Sequence, residues 1–156
     1  MTIHTSIREW LQRESVAFRE VHHEPTRTSE ESARARGEEL RVGGKALLIK
    51  VDADFRLFVL SADRKLDSGL IRTRFGAKKS RFASAEELME LTGLVPGSVP
   101  PFGAPILPFQ LYTDPSVFEN QRIAFNAGSL TDSVIMGIDD RRLAKPEIFA
   151  FASAAT

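Results

Sequence analysis

The chain lacks cysteine altogether in its 156 residues. This absence excludes a disulfide framework, zinc sites built on thiolates, iron–sulfur clusters and a cysteine nucleophile. A chain of this length buries roughly two thirds of the surface that it exposes when unfolded, so its core needs neither a disulfide nor a structural metal. Any chemistry that the protein performs therefore proceeds without a thiol.

Long apolar runs and an excess of charge are missing as well. The longest uninterrupted apolar run, Ile148–Ala152, has five residues, whereas a membrane span needs about 20. The 21 Lys and Arg residues balance the 21 Asp and Glu residues, which argues against a protein that coats nucleic acid along its whole surface. The start of the chain lacks the order of a secretory signal, basic and then apolar. We therefore expect a soluble, cytoplasmic protein that does not bind a membrane.

The common catalytic signatures are absent too. The sequence has no Gly-x-Ser-x-Gly elbow, Walker loop, Rossmann glycine pattern or His-Glu-x-x-His motif. Its three histidines are His4, His22 and His23. The last two are adjacent in a strand-like segment, where neighbouring residues point to opposite faces. We expect no metal site there, and no cofactor.

Helix signals stand at four places. A stripe of apolar residues with helical spacing lies near the start of the chain: Ile3, Ile7, Trp10 and Leu11. Two capping boxes, Thr28–Glu31 and Ser84–Glu87, each predict a helix start, because the first side chain accepts from a backbone N–H three residues on and the glutamate reaches back. Gly37 and Gly93 are placed to end these helices. Asp114-Pro115 predicts a further helix or turn.

Strand-like segments separate the helices. They are rich in large apolar and β-branched residues: Val16–Val21, Ala46–Val51, Leu57–Leu60, Gln110–Tyr112, Ile123–Asn126 and Ser133–Ile138. Asp52–Asp54 suits a hairpin, and the two-sided apolar character of Leu57–Leu60 predicts a strand that is covered on both faces. The pattern predicts one mixed α/β (α+β) domain over residues 1–156, with an antiparallel-rich sheet or barrel.

Lys45 is the first candidate for chemistry. It enters the strand after two glycines, and the strand period places it on the same face as Leu47 and Ile49. A lysine that shares a face with two large aliphatic residues can be drawn into a cavity and bind an anion there. The alternative is a lysine at a strand end whose ammonium reaches into water.

Two further segments have the composition of a binding site. The loop Gly93–Gly103 contains three glycines and three prolines, which makes it stiff and lets a ligand approach its backbone closely. Asn126 follows a strand and offers both a donor and an acceptor, with the small residues Ala127 and Gly128 behind it. The alternatives are a rigid connector and an ordinary turn.

A basic stretch runs through residues 71–81. It contains five cations and no acidic residue: Arg72, Arg74, Lys78, Lys79 and Arg81. Such a patch can bind a phosphate backbone without reading its bases. A solvated surface with no ligand is the equally weighted alternative.

Several spaced motifs in one consistent order resemble a known family. They are Gly44–Lys50, Leu60–Asp67, Gly76–Ser84, Thr92–Gly103 and Ile123–Gly128. Together they resemble the YbaK/ProX (ProXp) family of free-standing aminoacyl-tRNA deacylases, which is related to the editing domain of bacterial prolyl-tRNA synthetases. The segment Ala124–Ile135 is most similar to the YeaK-like branch.

The resemblance implies a compact fold in which helices surround a curved, barrel-like mixed β-sheet. It implies an enzyme that deacylates mischarged aminoacyl-tRNA in trans, through a positioned water assisted by a tRNA hydroxyl and backbone groups. Lys45 matches the lysine that is thought to hold the 3′ end of the tRNA, where it positions and neutralises charge as the catalytic residue and is not a general base. Asn126 falls where some relatives carry a functional histidine.

The resemblance also gives a set of substrate-binding residues. They line or support the aminoacyl pocket: Gly97, Ser98, Val99, Pro101, Asn126, Ala127 and Gly128. We expect Val99, Pro100 and Phe102 to bound a pocket that admits Ser, Thr or Ala and rejects larger side chains, with Ser98 and Asn126 bonded to a substrate hydroxyl. The basic stretch is the candidate tRNA surface.

The expected partner is therefore a mischarged aminoacyl-tRNA, with an aminoacyl-tRNA synthetase as an optional second partner and no DNA. The alternative is a module without catalysis that binds tRNA ends or a small metabolite for regulation. An intact Lys45 and an intact loop from Gly97 to Pro101 favour the enzyme.

Overall fold

Four α-helices and ten β-strands make up the computed structural model, which describes residues 2–154. The helices are α1 (Ile3–Arg13), α2 (Ser29–Arg36), α3 (Ser68–Phe75) and α4 (Ala85–Thr92). The strands are β1 (Phe18–His22), β2 (Gly44–Val51), β3 (Asp54–Ser61), β4 (Arg64–Leu66), β5 (Ser80–Phe82), β6 (Leu111–Thr113), β7 (Arg122–Asn126), β8 (Asp132–Gly137), β9 (Glu147–Ile148) and β10 (Ala152–Ala154). Three short 3-10 helices complete the described chain: Leu40–Val42, Pro115–Glu119 and Asp139–Ala144. Within residues 2–154 we find no helix long and apolar enough to cross a bilayer.

The strands form a mixed fold, as predicted, but they are divided among three sheets. The largest has the order β5-β2-β3-β6-β9, the second β1-β8-β7 and the third β10-β4. The β2–β3 hairpin is antiparallel, whereas β3–β6 and β6–β9 are parallel. The curved sheet is therefore not one continuous barrel among the described residues.

The two larger sheets meet at the start of β2. A single parallel bridge joins Gly43 to Ala124. A Cβ on Gly44 would lie 2.5 Å from the side chain of Ile123, so a larger residue here would force Ile123 to move. The sheets touch at this corner and separate beyond it, which leaves space for a cavity.

Both capping boxes are confirmed. Thr28 accepts from the Glu31 N–H at 3.1 Å, and Glu31 accepts from the Thr28 N–H at 3.1 Å; Ser84 and Glu87 repeat the arrangement at the start of α4. The helices end at glycines with φ of +69° and +75°. Helix α3 was not predicted, because Ile71 is its only fully buried residue and one residue makes no apolar stripe.

Strand β3 separates two hydrophobic clusters, as its two-sided apolar pattern predicts. Leu57 and Val59 face the larger cluster, which α1 also covers. Phe58 and Leu60 face a second cluster rich in aromatic rings. Phe58 stacks on Tyr112 with ring centroids 5.2 Å apart. Strand β3 is thus packed on both faces, and it gives the neighbouring strand β2 a rigid support.

Asp114 ties the last described residues to this core. Its side chain is buried, and one carboxylate oxygen accepts from the N–H groups of Phe151 at 2.8 Å and Ala152 at 3.0 Å. The other oxygen accepts from Ser116 at 2.9 Å and starts the 3-10 helix there. One carboxylate therefore joins the region after β6 to the start of β10.

We expect Asp114→Ala to lower the free energy of unfolding by about 3 kcal/mol, because buried N–H groups left without partners cost roughly 1–3 kcal/mol each. Urea unfolding followed by Trp10 fluorescence measures the loss. The exposed Asp54→Ala is the matched control and should change it by less than about 0.5 kcal/mol. Equal free energies in the two variants would contradict the role of Asp114.

Glu38 fixes the end of α2 against β7. Its carboxylate accepts three hydrogen bonds from Arg122, one of 2.7 Å and two of 3.0 Å, and one from Arg19 at 3.3 Å. The hydrogen bond from Arg122 is the main cause that lowers the pKa of Glu38. A carboxyl with a lowered pKa stabilises the fold above its unfolded pKa, and this contribution disappears as the pH falls through the folded pKa.

Glu38→Gln should therefore lower stability by about 1 kcal/mol at neutral pH, and the deficit should shrink as the pH falls below about 4, the ordinary range of a glutamate. Denaturant unfolding across this pH range tests the sign. Glu90→Gln, on the exposed side of α4, is the control and should change stability at neutral pH by less than about 0.5 kcal/mol. A deficit that grows in acid would refute the assignment.

Candidate functional site

A cavity of about 250 Å³ opens where the start of α2, the start of β2, the Gly-Pro loop and the end of β7 meet. Its lining residues are Arg27, Thr28, Ser29, Ser32, Arg36, Gly43, Gly44, Lys45, Ala46, Leu47, Ala62, Gly97, Val99 and Asn126. Four of the residues named from the sequence come together here: Lys45, Gly97, Val99 and Asn126. They come from three separate segments of the chain.

The charge of this lining has one sign. Arg27, Arg36 and Lys45 contribute three cations, and no aspartate or glutamate is among the lining residues. A cavity lined in this way attracts a phosphate or the electron-rich oxygens of an ester.

Lys45 is the lysine among the three cations of the lining. It is partly buried, and its ammonium makes no hydrogen bond or ion pair with any residue in the range 2–154. Desolvation lowers the pKa of Lys45, and the carboxylates of Glu30 and Asp63 act in the opposite direction from a distance. The side chain is therefore available to a ligand in the cavity.

Asn126 is buried and anchors the Gly-Pro loop. Its amide nitrogen donates to the carbonyl of Gly97 at 2.8 Å. Its oxygen accepts from Arg36 at 3.0 Å and from the hydroxyl of Ser133 at 3.0 Å. The carboxamide thus holds the wall of the cavity in place and has its strongest contacts within the protein.

Arg36 is a residue of the site that the sequence did not single out. It is 8% exposed, and it donates to Ser133 at 2.9 Å, to Asn126 and to the carbonyl of Ala124 at 3.4 Å. Burial lowers the pKa of Arg36 to about 10, with Glu38 acting against it, so the guanidinium is charged at neutral pH. One signal was present: Arg36 follows the small residue Ser32 by one helical turn, on the side of α2 that faces inward.

Three hydroxyls at the start of α2 were also missed. Thr28, Ser29 and Ser32 all line the cavity. Thr28 caps the helix, and Ser32 shares a hydrogen bond of 2.8 Å with Thr26. Ser29 makes no side-chain hydrogen bond with the described residues, so its hydroxyl can meet a ligand. The capping box predicts the start of the helix, but it does not predict which surface the first turn of the helix faces.

The rest of the predicted pocket set supports the cavity from behind. Ser98 is 1% exposed, and its hydroxyl closes the loop by donating to the Val95 carbonyl at 2.8 Å. The Gly128 N–H donates to the Ser98 carbonyl at 3.0 Å. Pro101 and Ala127 are buried and do not line the cavity. The buried positions of Pro101 and Ala127 suit residues that fix the shape of the loop.

Of the three expected bounding residues, Val99 lines the cavity. Phe102 lies instead in the core, edge-on to Trp10 and Phe125 with ring centroids 5.2 and 5.1 Å away. Pro100 is buried beside it. The loop thus turns its aromatic side inward and presents Gly97 to the cavity, at a φ of +90°.

The basic stretch lies towards the other end of β2 and is partly neutralised. Arg74 pairs with Glu147, and Arg81 pairs with Glu87 through two hydrogen bonds of 2.7 and 3.0 Å. The remaining members, Arg72, Lys78 and Lys79, have no carboxylate within 4 Å among residues 2–154. The effective charge of the stretch is therefore smaller than its five cations suggest.

None of the three histidines is among the residues that line the cavity. His22 contacts the Asp132 carboxylate at 2.8 Å, and His23 contacts the Ser133 hydroxyl at 2.8 Å. In the described part of the chain, no three His, Asp or Glu residues are grouped so that they could hold a metal ion.

Comparisons with known proteins identify the relatives of this chain. The family model described as "Aminoacyl-tRNA editing domain" matches residues 23–143. The chain is 39% identical over 152 residues to the "Multifunctional Ser/Thr-tRNA deacylase ProXp-y" of Escherichia coli (strain K12), across 93% of this chain and 90% of that protein. It is 35% identical over 101 residues to a "Proline--tRNA ligase" of Shouchella clausii (strain KSM-K16), across 65% of this chain and 18% of the ligase.

The fold has solved counterparts. A crystal structure of a candidate trans-editing enzyme for prolyl tRNA synthetase superposes with a TM-score of 0.84 at 24% identity, across 99% of both chains. A further crystal structure, of the hypothetical protein APE2540, has a TM-score of 0.81 at 22% identity, across 94% of this chain and 99% of the other. The family model, the sequence identity over nearly the whole chain and the shared fold agree: this chain belongs to the aminoacyl-tRNA editing domain family.

Proposed function

We propose that the protein is a trans-editing hydrolase that removes a small, wrongly attached amino acid from tRNA, with serine and threonine favoured and alanine next. The observation that carries the proposal is the cationic cavity in which the unpaired ammonium of Lys45 faces the fixed Gly97 loop. The relative of known name with 39% identity is a Ser/Thr-tRNA deacylase. We further propose that the chain acts as one domain, in the cytoplasm, alone or beside an aminoacyl-tRNA synthetase.

Ester hydrolysis by this site needs no enzymic nucleophile. A water attacks the ester carbonyl carbon, the bond to the ribose oxygen breaks, and that oxygen leaves with a proton. Correct positioning of the reactants contributes about 7–11 kcal/mol to such a reaction, and a donor to the developing oxyanion contributes about 3–4 kcal/mol. The rigid loop and Lys45 supply position and positive charge, and a hydroxyl of the tRNA together with backbone groups assists the water.

The cavity also has features that select a small amino acid with a hydroxyl. Its volume of about 250 Å³ is modest, and its rim is polar at the α2 end. The free hydroxyl of Ser29 and the nearby Ser32 can bond a substrate hydroxyl. A site built to bond a hydroxyl discriminates against an analogue that lacks one, because its polar groups are then left without a partner.

The first test is a deacylation panel with Ser-, Thr-, Ala-, Cys- and Pro-tRNA. We expect wild type to hydrolyse Ser- and Thr-tRNA above the spontaneous rate. Lys45→Ala should lower kcat/KM by about 10- to 100-fold, because a hydrogen bond to a charged group contributes roughly 1.5–3 kcal/mol.

Lys50→Ala is the matched control, since Lys50 lies on the same strand with its ammonium over the Phe55 ring, 5.6 Å from its centroid. If wild type leaves every tRNA at its spontaneous rate yet binds tRNA tightly, the protein is a binding module and the enzyme proposal fails. Full activity in Lys45→Ala rejects the role of that lysine alone.

The second test concerns selectivity. Ser29→Ala should lower kcat/KM for Ser- and Thr-tRNA by about 3- to 10-fold relative to Ala-tRNA, which corresponds to the loss of one neutral hydrogen bond. Ser32→Ala should act in the same direction. Ser68→Ala, on the surface at the start of α3, serves as the control. An equal loss for all three substrates would show that the hydroxyl does not select.

A further inference from the structure

Phe82 is a large apolar side chain that the fold leaves in water. It is 58% exposed, the most exposed of the large hydrophobic residues in the described chain. It lies on β5, which pairs with β2 alone and forms one edge of the five-stranded sheet. An exposed aromatic ring at a sheet edge lowers solubility and favours aggregation. The residues around Phe82 indicate what could cover it.

The register of the sheet places Phe82 beside the cavity. Phe82 pairs directly with Ile49, and directly opposed residues of neighbouring strands share a face. Strand alternation puts Ile49 on the same face as Leu47 and Lys45. Leu47 lines the cavity and is the diagonal neighbour of Phe82, a separation of about 7–8 Å that a phenyl ring can bridge.

Positive charge borders the ring on this face. Arg72 of α3 donates to the hydroxyl of Ser80 at 3.1 Å, and Ser80 shares a face with Phe82 because it is two residues away on β5. Arg72 has no carboxylate within 4 Å among residues 2–154. Lys78 and Lys79, which are likewise unpaired there, precede the strand. An exposed ring flanked by free cations is the combination that binds single-stranded nucleic acid.

We propose that Phe82 stacks on an unpaired nucleobase of the tRNA 3′ strand, within a few nucleotides of the aminoacylated adenosine in the cavity, and that Arg72 contacts the phosphate beside that base. This proposal rests on the proposed function. Lys45 and Ile49 are four residues apart, about 13 Å along a strand. With one strand spacing of about 4.8 Å added sideways, Phe82 lies about 14 Å from Lys45, a distance that a few nucleotides span.

A second copy of the chain is the rival occupant, since β5 is an open edge. Pairing two such edges about a two-fold axis would bring the unpaired cations Arg72, Lys78 and Lys79 of one copy towards those of the other. Like charges brought together oppose association. Charge therefore favours a polyanion over a second copy.

The experiment compares two substrates, seryl-tRNA and 2′(3′)-O-seryl-adenosine, which lacks the neighbouring nucleotide. Phe82→Ala should lower the ratio of kcat/KM for seryl-tRNA over seryl-adenosine by about 5- to 100-fold, the range of base–aromatic stacking, mainly through KM. Phe82→Trp should restore the ratio, whereas Phe82→Leu, apolar but without a π face, should not. Arg72→Ala should reduce the salt dependence of KM for seryl-tRNA by about one ion.

Ile148→Ala is the matched control, because Ile148 is 41% exposed on β9 at the opposite edge of the same sheet. If the wild-type protein hydrolyses neither substrate, both the proposed function and this inference are wrong. Hydrolysis of both substrates with an unchanged ratio in Phe82→Ala overturns the inference and leaves the function standing. It is overturned too if Phe82→Leu keeps the wild-type ratio, if Ile148→Ala loses as much, or if Phe82→Ala converts a dimer to a monomer.

Discussion

The carboxamide of Asn126 is the contact on which the cavity depends. Its nitrogen holds the Gly97 carbonyl, and its oxygen receives Arg36 and Ser133. Through these three hydrogen bonds one side chain joins the Gly-Pro loop, α2, β7 and β8, which are distant in sequence. Leaving a buried polar group without its hydrogen-bond partners costs roughly 1–3 kcal/mol of stability. The four segments are therefore held in fixed positions relative to one another. The walls of the cavity are thus set by a polar node, while the apolar clusters only support them.

The distribution of acidic residues explains how a protein of zero net charge has a cationic cavity. Glu38 is two residues from Arg36, but its carboxylate faces Arg122 and Arg19 on the outside. The guanidinium of Arg36 is left with neutral acceptors, and its charge acts on the cavity. Towards the other end of β2, by contrast, glutamates neutralise two members of the basic stretch. Unneutralised positive charge therefore remains at the cavity and at Arg72, Lys78 and Lys79, and is not spread evenly over the surface.

Local signals made part of this structure predictable. Capping boxes are contained within four residues, and both were recognised, as was the strand that carries Lys45. Strands β4, β5, β9 and β10 have only two or three residues each, and such strands exist because of their partners and not their own pattern. The place of Arg36 depended on Asn126 and Ser133, which lie 90 and 97 residues further along the chain. Ser29 was missed for a similar reason, since nothing in the first turn of a helix states what it will face.

The pairing of β10 with β4 affects the order in which the chain folds. Strand β10 pairs with β4, and Asp114 accepts from the N–H groups at the start of β10. Strand β4, near position 65, therefore cannot pair until β10, near position 153, has been synthesised. During synthesis on a ribosome, the two-stranded sheet of β4 and β10 cannot form until the last of these residues has emerged. Contacts of such long sequence separation slow folding, so the aromatic cluster that Phe151 joins is completed only after this region has been translated.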